Sequence, residues 1–133
     1  MSYDIFNELA TDSNLEENGA WFSIGKGARL LVARSGNRKF SKLLNKLVES
    51  NKEVLDQEDD AAGNKSDELM TQVLASTILL GWEGISFKGV DTPFSVEQAA
   101  VFLALKDFRM KVTGFANQFD AYKVKQEVTQ GNV

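Results

Sequence analysis

The stretch from Ser66 to Phe87, SDELMTQVLASTILLGWEGISF, constrains this chain most, because it holds the longest apolar run with helical spacing and then breaks in one place. Leu69, Met70, Val73, Leu74, Thr77, Ile78 and Leu80 cover more than half of a helical wheel, the pattern of a helix packed on several sides. Ser66 is a suitable N-cap, Asp67 and Glu68 put negative charge at the positive end of the helix dipole, and Gly81 can supply a left-handed terminating residue. The expected arrangement is a core helix from Ser66, a corner at Trp82, and a short extended piece from Gly84 to Val90 that folds back.

Around that helix there is room for one domain. A chain of 133 residues, 43% apolar and with one proline, buries roughly two thirds of its unfolded surface on folding. Met1-Ser2-Tyr3-Asp4 has no basic region followed by an apolar run, and no apolar segment approaches the ~18 residues of a membrane span, so neither export nor a membrane is expected. Cysteine is absent, which removes disulfides and thiolate chemistry. Histidine is absent too, and with it the commonest general base and transition-metal ligand. Most hydrolase chemistries lose a part here, while carboxylate- or lysine-based catalysis stays open.

The net charge of -4 is laid out in blocks. Asp4, Glu8, Asp12, Glu16 and Glu17 make residues 1–18 acidic, eight basic residues stand against Glu49 in 26–52, and 53–68 turn acidic again. A positive segment between two negative ones suits self-association or folding back as well as phosphate binding.

In chain order, Ile5, Phe6 and Leu9 could form one amphipathic turn, with Thr11 to Gly19 irregular, so 1–19 reads as a flexible or short helical segment. Ala20 to Ile24 and Ala28 to Arg34 read as a β-hairpin turned by Gly25-Lys26-Gly27. Leu30 and Val32 share one face of the second arm and Leu31 and Ala33 the other, so this arm is expected to be covered on both sides. Gly25-x-Gly27 is turn chemistry, since a dinucleotide loop needs a third glycine where Leu30 stands. Arg38 to Leu55 has helical spacing interrupted at Asn51, and its polar face carries Lys39, Lys42 and Lys46. Together with Arg34 and Arg38 this face could follow phosphates; the plainer reading is a solvated helix face, and no aromatic residue interleaves the charges for base stacking.

Gln57 to Lys65 reads as a solvated loop, and the Asp56, Glu58, Asp60 spacing falls short of a calcium loop because Ala61 replaces the required glycine. Trp82 is either a core residue or an exposed anchor for a partner. Lys88-Gly89 marks a second tight turn, and Ser95 with Gln98 makes a capping box that starts another helix, with Phe94 stapling onto Ala99. Phe108, Val112, Phe115, Phe119 and Tyr122 repeat at four and three, an aromatic seam on a final helix that closes the domain's own core or packs on another chain. The fold expected is mainly α within the α+β class: a compact helical domain of about four helices with a small N-terminal β-hairpin over 20–122, followed by a flexible tail over 123–133.

Arg34-Ser35-Gly36-Asn37-Arg38-Lys39-Phe40, the Leu79 to Ile85 segment LLGWEGI, Pro93-Phe94-Ser95 and the phenylalanine-bearing final helix, in that order, resemble the tail assembly chaperones of long-tailed bacteriophages. In that family an R-x-G-N-x-x-[FY] junction leads from a strand into a basic helix, a core helix ends in a Trp-bearing corner, and P-[FY]-S opens the last helices. The resemblance covers residues 20 to 122; where the family commonly has a glycine pair before the asparagine, this chain has Ser35-Gly36, and its corner loop is shorter. It implies a protein of the host cytoplasm, absent from the mature virion, without catalytic activity, cofactor or metal, that binds the tape-measure protein, keeps it soluble and recruits major tail (tube) protein subunits. The partner-binding residues expected on this basis are Arg34, Arg38, Lys39, Lys42, Lys46, Trp82, Phe115, Phe119 and Tyr122. The alternative is a small nucleic-acid-binding module using the basic helix face.

Overall fold

The organising element is a central strand rather than a helix. In the computed structural model, which describes residues 2–124, the strand Ala28–Val32 (β2) pairs antiparallel with Ala20–Gly25 (β1) on one side and with Leu79–Glu83 (β3) on the other. Register puts Phe22 opposite Leu30, and Leu30 opposite Trp82. Leu30 and Val32 are fully buried and Leu31 is half-buried, as expected for a strand covered on both faces. The β1–β2 turn has positive φ at both central residues, Lys26 (55°) and Gly27 (77°), as a type I′ hairpin requires.

Local signals account for the helix starts. Asp4 and Asp12 cap Ile5–Leu9 (α1) and Ser13–Asn18 (α2), and Asn37 caps Arg38–Ser50 (α3) by accepting from the Phe40 N–H at 3.0 Å. α3 ends at Asn51, and a further turn, Lys52–Leu55 (α4), follows. Ser95 Oγ accepts from the Gln98 N–H at 3.0 Å to start Val96–Leu103 (α6), the capping expected from Pro93-Phe94-Ser95. The Phe94 ring meets Trp82 edge-on, with centroids 4.8 Å apart.

Several expectations are corrected. Among the described residues there are seven α-helices and two antiparallel sheets, of three and two strands; 56% is helical and 18% is strand. That is a mixed α+β fold, not a domain of about four helices with one hairpin. The core helix, Asp60–Thr77 (α5), starts a turn and a half before Ser66, because Asp59 caps it through the Ala62 N–H at 3.0 Å; most of the expected loop is its first turns. At its other end the run Leu79 to Trp82 leaves the helix and becomes β3, so Trp82 is a strand residue and Gly81 does not terminate a helix. The reason is non-local: β2 has a second row of backbone donors and acceptors, and β3 satisfies them.

Thr11 to Gly19 is not irregular but contains α2. The final helix stops early: Lys106–Ala116 (α7) is followed by a turn at Asn117 and a 3₁₀ turn over Phe119–Tyr122. Tyr122 explains the break. Its hydroxyl donates to the Val32 carbonyl at 2.8 Å, and its own carbonyl accepts from the Asp12 N–H at 2.8 Å, geometry that a continued α-helix would not reach. Of the tail expected over 123–133, Lys123 bridges to Thr11 and the Val124 N–H donates to the Ala10 carbonyl at 3.0 Å, while 125–133 lie outside the described residues.

The core gathers Leu30, Val32, Leu74, Ile78, Leu79, Leu103 and Val112. α5 packs on α3, α4, α6 and β3, and α7 reaches β2. Ser86–Phe87 (β4) and Val90–Asp91 (β5) form a small ribbon turned at Lys88 and Gly89, both with positive φ. Gly84 has to be glycine: its φ is +73°, and a Cβ there would lie 2.9 Å from the Gly27 carbonyl oxygen.

Candidate functional site

Asn37 sets the direction of the basic helix. Besides capping α3, its amide donates to the Arg34 carbonyl at 2.8 Å, so the junction between β2 and α3 is locked from both sides. α3 then lays half-buried Phe40, Leu43, Leu44 and Leu47 inwards and leaves Lys39, Lys42 and Lys46 exposed.

The two arginines expected to join that face have acidic neighbours instead. Arg34 pairs with Glu16 of α2 at 2.7 Å, with its guanidinium carbon 5.6 Å from the centroid of the Phe119 ring. Arg38 reaches within 3.9 Å of Glu17. The shallow depression here, about 290 Å³, is lined by Glu17 together with Arg38, Lys39 and Lys42, so a phosphate entering it would meet a carboxylate. The acidic N-terminal block thus folds back on the start of the basic one.

The aromatic candidates separate differently. Trp82 is 7% exposed and its Nε1–H donates to the Thr92 carbonyl at 2.8 Å. Tyr122 is fully buried, and burial pushes its phenol up to about 12, partly offset by the charge of Arg34. Phe115 stacks on Phe22 at 4.6 Å, so α7 and β1 are joined by the seam. Phe119 is half-buried beside Arg34 and Lys123. The seam therefore closes this domain's core, and Trp82 and Tyr122 are turned inwards.

Residues outside the expected partner-binding set form a more open site. Between α5, α6 and the start of α7 lies a surface groove of about 560 Å³, lined by Asp67, Glu68, Thr71, Gln72, Ala75, Ser76, Val96, Glu97, Ala100, Ala104 and Arg109. Asp67, Thr71 and Ala75 stand four apart along α5, and Val96, Ala100 and Ala104 four apart from Val96 to the residue that caps α6. Both walls are thus the four-residue ridges by which helices pack on helices. The small members of these ridges are Ala75, Ala100 and Ala104, and the rim is acidic: among the described residues neither Asp67 nor Glu97 is in an ion pair, while Glu68 is 3.5 Å from Lys65. Arg109, the one basic lining residue, donates to the Leu103 carbonyl at 3.2 Å. Ala75 and Ala104 are unremarkable in sequence; the Ala99-Ala100 pair, which with Phe102 and Leu103 makes a small-plus-large packing face, is the one local signal.

On the outer face of the sheet Arg29 lies 3.9 Å from the Trp21 ring centroid and bonds Glu83 across the strands. That bond holds the Glu83 carboxyl below its usual range.

No curated protein and no solved structure matches the chain. A family model described as YdaY prophage protein matches residues 35–132, which takes in α3 and every element that lines the groove. The chain is thus phage-derived, and it belongs to the YdaY prophage protein family.

Proposed function

We propose that this protein is a non-catalytic tail assembly chaperone, which binds the tape-measure protein of its phage, keeps it soluble in the host cytoplasm, and helps recruit tube subunits before leaving the finished tail. Membership of a prophage family and the ordered resemblance from Arg34 to the final helix support the phage context. The observation that carries the reading is the surface itself. A basic helix face on α3 and an acid-rimmed apolar groove beside α5 lie on separate sides of α5, which buries Leu69, Val73, Leu74, Ala75 and Thr77 in its second half. A long, helical, aggregation-prone chain is held by such strips of apolar and charged surface rather than by a reaction centre.

Co-expression with the tape-measure protein encoded in the same genome is the test. The expected result is a soluble tape measure that co-purifies with this chain; an insoluble tape measure and no co-purification end the reading. The nucleic-acid alternative predicts binding to DNA or RNA that weakens steeply with salt, and the close pairing of Arg34 with Glu16 leaves it Arg38, with Glu17 3.9 Å away, and three exposed lysines.

A further inference from the structure

We infer that the groove between α5 and α6 is a docking site for one amphipathic helix of a partner polypeptide, with an apolar stripe flanked by basic side chains. This names the contact surface for the proposed chaperone role and rests on that role only for who the partner is.

Shape argues for a helix. The groove follows α5 from Asp67 to Ser76, roughly 14 Å at 1.5 Å per residue, which matches about two and a half turns of a third helix. Its walls are four-residue ridges, and Ala75, Ala100 and Ala104 along them let an incoming backbone approach to the about 8–10 Å typical of packed helices. Bulkier residues there would hold the axes apart. Charge argues for the flanks: Asp67 and Glu97 sit on opposite rims without ion-pair partners among the described residues, and Arg109 is engaged with the Leu103 carbonyl.

The chain's own helices are poor occupants. The exposed face of α3 presents lysines without an apolar stripe. α1 does expose Ile5, Phe6 and Leu9, but Asp4 and Glu8 flank them with the same sign as the rim.

The experiment uses the full chain and two synthetic helical peptides that share a leucine stripe, one flanked by lysines and the other by glutamates. Binding is read by fluorescence anisotropy and by amide shifts on labelled protein. The lysine peptide should bind, the glutamate peptide should bind about tenfold or more weakly, and the shifts should fall on Ala75, Ala100 and Ala104. Ala104→Phe, at an exposed position, should weaken lysine-peptide binding about tenfold with an unchanged melting temperature, and Ser76→Trp on the facing wall is the second blocking variant if the first fails to fold. Asp67→Asn with Glu97→Gln should weaken it severalfold and flatten its salt dependence.

Equal affinity for both peptides, or binding indifferent to both blocking variants, overturns the inference. So does a groove that takes small apolar molecules but neither peptide, or that proves to be the contact between two copies of the chain. Tape-measure rescue that survives Ala104→Phe and Ser76→Trp would remove the groove and leave the chaperone role. Peptide binding in the groove without tape-measure rescue would do the reverse.

Discussion

The two long helices, α3 and α5, show how differently one chain can use a helix. α3 has no fully buried residue and keeps one half-buried stripe against α5. α5 buries Leu69, Val73, Leu74, Ala75 and Thr77, all in its second half, while its first half from Asp60 to Glu68 is largely exposed. Both are capped by a side chain at the N-terminus, but α3 is anchored at its beginning, where Asn37 ties it to Arg34, and α5 at its end, where it runs into the sheet. Burial, rather than length or capping, separates a helix that holds the fold from one that decorates it.

Truncating the core of each helix should give the largest contrast. Leu74→Ala should cost about 3–4 kcal/mol in urea unfolding, because that side chain is 1% exposed, whereas Leu47→Ala on α3 should cost about 1–2 kcal/mol. Equal losses would break the distinction. The caps sharpen it in the opposite sense. Asn37→Ala removes both the cap on Phe40 and the bond to Arg34 from a nearly buried position, and should cost about 2 kcal/mol. Asp59→Ala, at the exposed start of α5, should cost no more than about 1 kcal/mol.

The sheet that receives α5 is held from the far side by Tyr122, and its titration reports on that anchor. Burial raises the phenol in the folded state to about 12 from an ordinary 10.0, so the folded protein keeps a proton that the unfolded chain gives up. The contribution is complete below pH 10 and should be lost as pH rises from about 10 to about 12. Tyr122→Phe should lower stability at pH 7 by about 1 kcal/mol and flatten the alkaline decline relative to the parent. A parallel decline in both proteins would show that the anchor does not act. The smallest effect belongs to α3: Lys39→Glu, Lys42→Glu and Lys46→Glu together should change the melting temperature little, since each exposed charge contributes within about 0.5 kcal/mol. In the proposed complex the same triple variant should weaken an acidic partner segment, and unchanged affinity would leave the groove as the sole contact surface.

Legibility in the sequence followed the range of the interaction. Ser95 capping Gln98 is a contact across three residues, and Lys26-Gly27 and Lys88-Gly89 are turns complete within four, so each could be read from its neighbours. Leu79 to Trp82 could not. Its apolar run fits a helix as well as a strand, and the choice was made by β2, some fifty residues earlier in the chain. Gln57 to Lys65 differs for another reason: its polar composition fits a solvated loop, but Asp59 supplies a cap and α5 extends outwards past its buried half.

The candidate surfaces divide in the same way. Lys39, Lys42 and Lys46 are legible because helical spacing alone puts them on one face, whereas Arg34 is drawn into a close pair with Glu16 of α2, a segment whose sequence reads as irregular. Trp82 and Tyr122 carry partners 10 and 90 residues away, distances at which no local pattern tells an anchor from a core residue.

By itself the sequence determined a single small domain's worth of apolar residues, the starts of α3 and α6, both tight turns and the exposed lysine face, because each depends on side chains within a turn or two of one another. Only the tertiary structure decided which apolar run became the third strand, where α7 stopped, and that Ala75 would meet Ala100 and Ala104 across a groove. Those outcomes depend on backbone groups and small side chains that acquire a role only when distant parts of the chain are brought together.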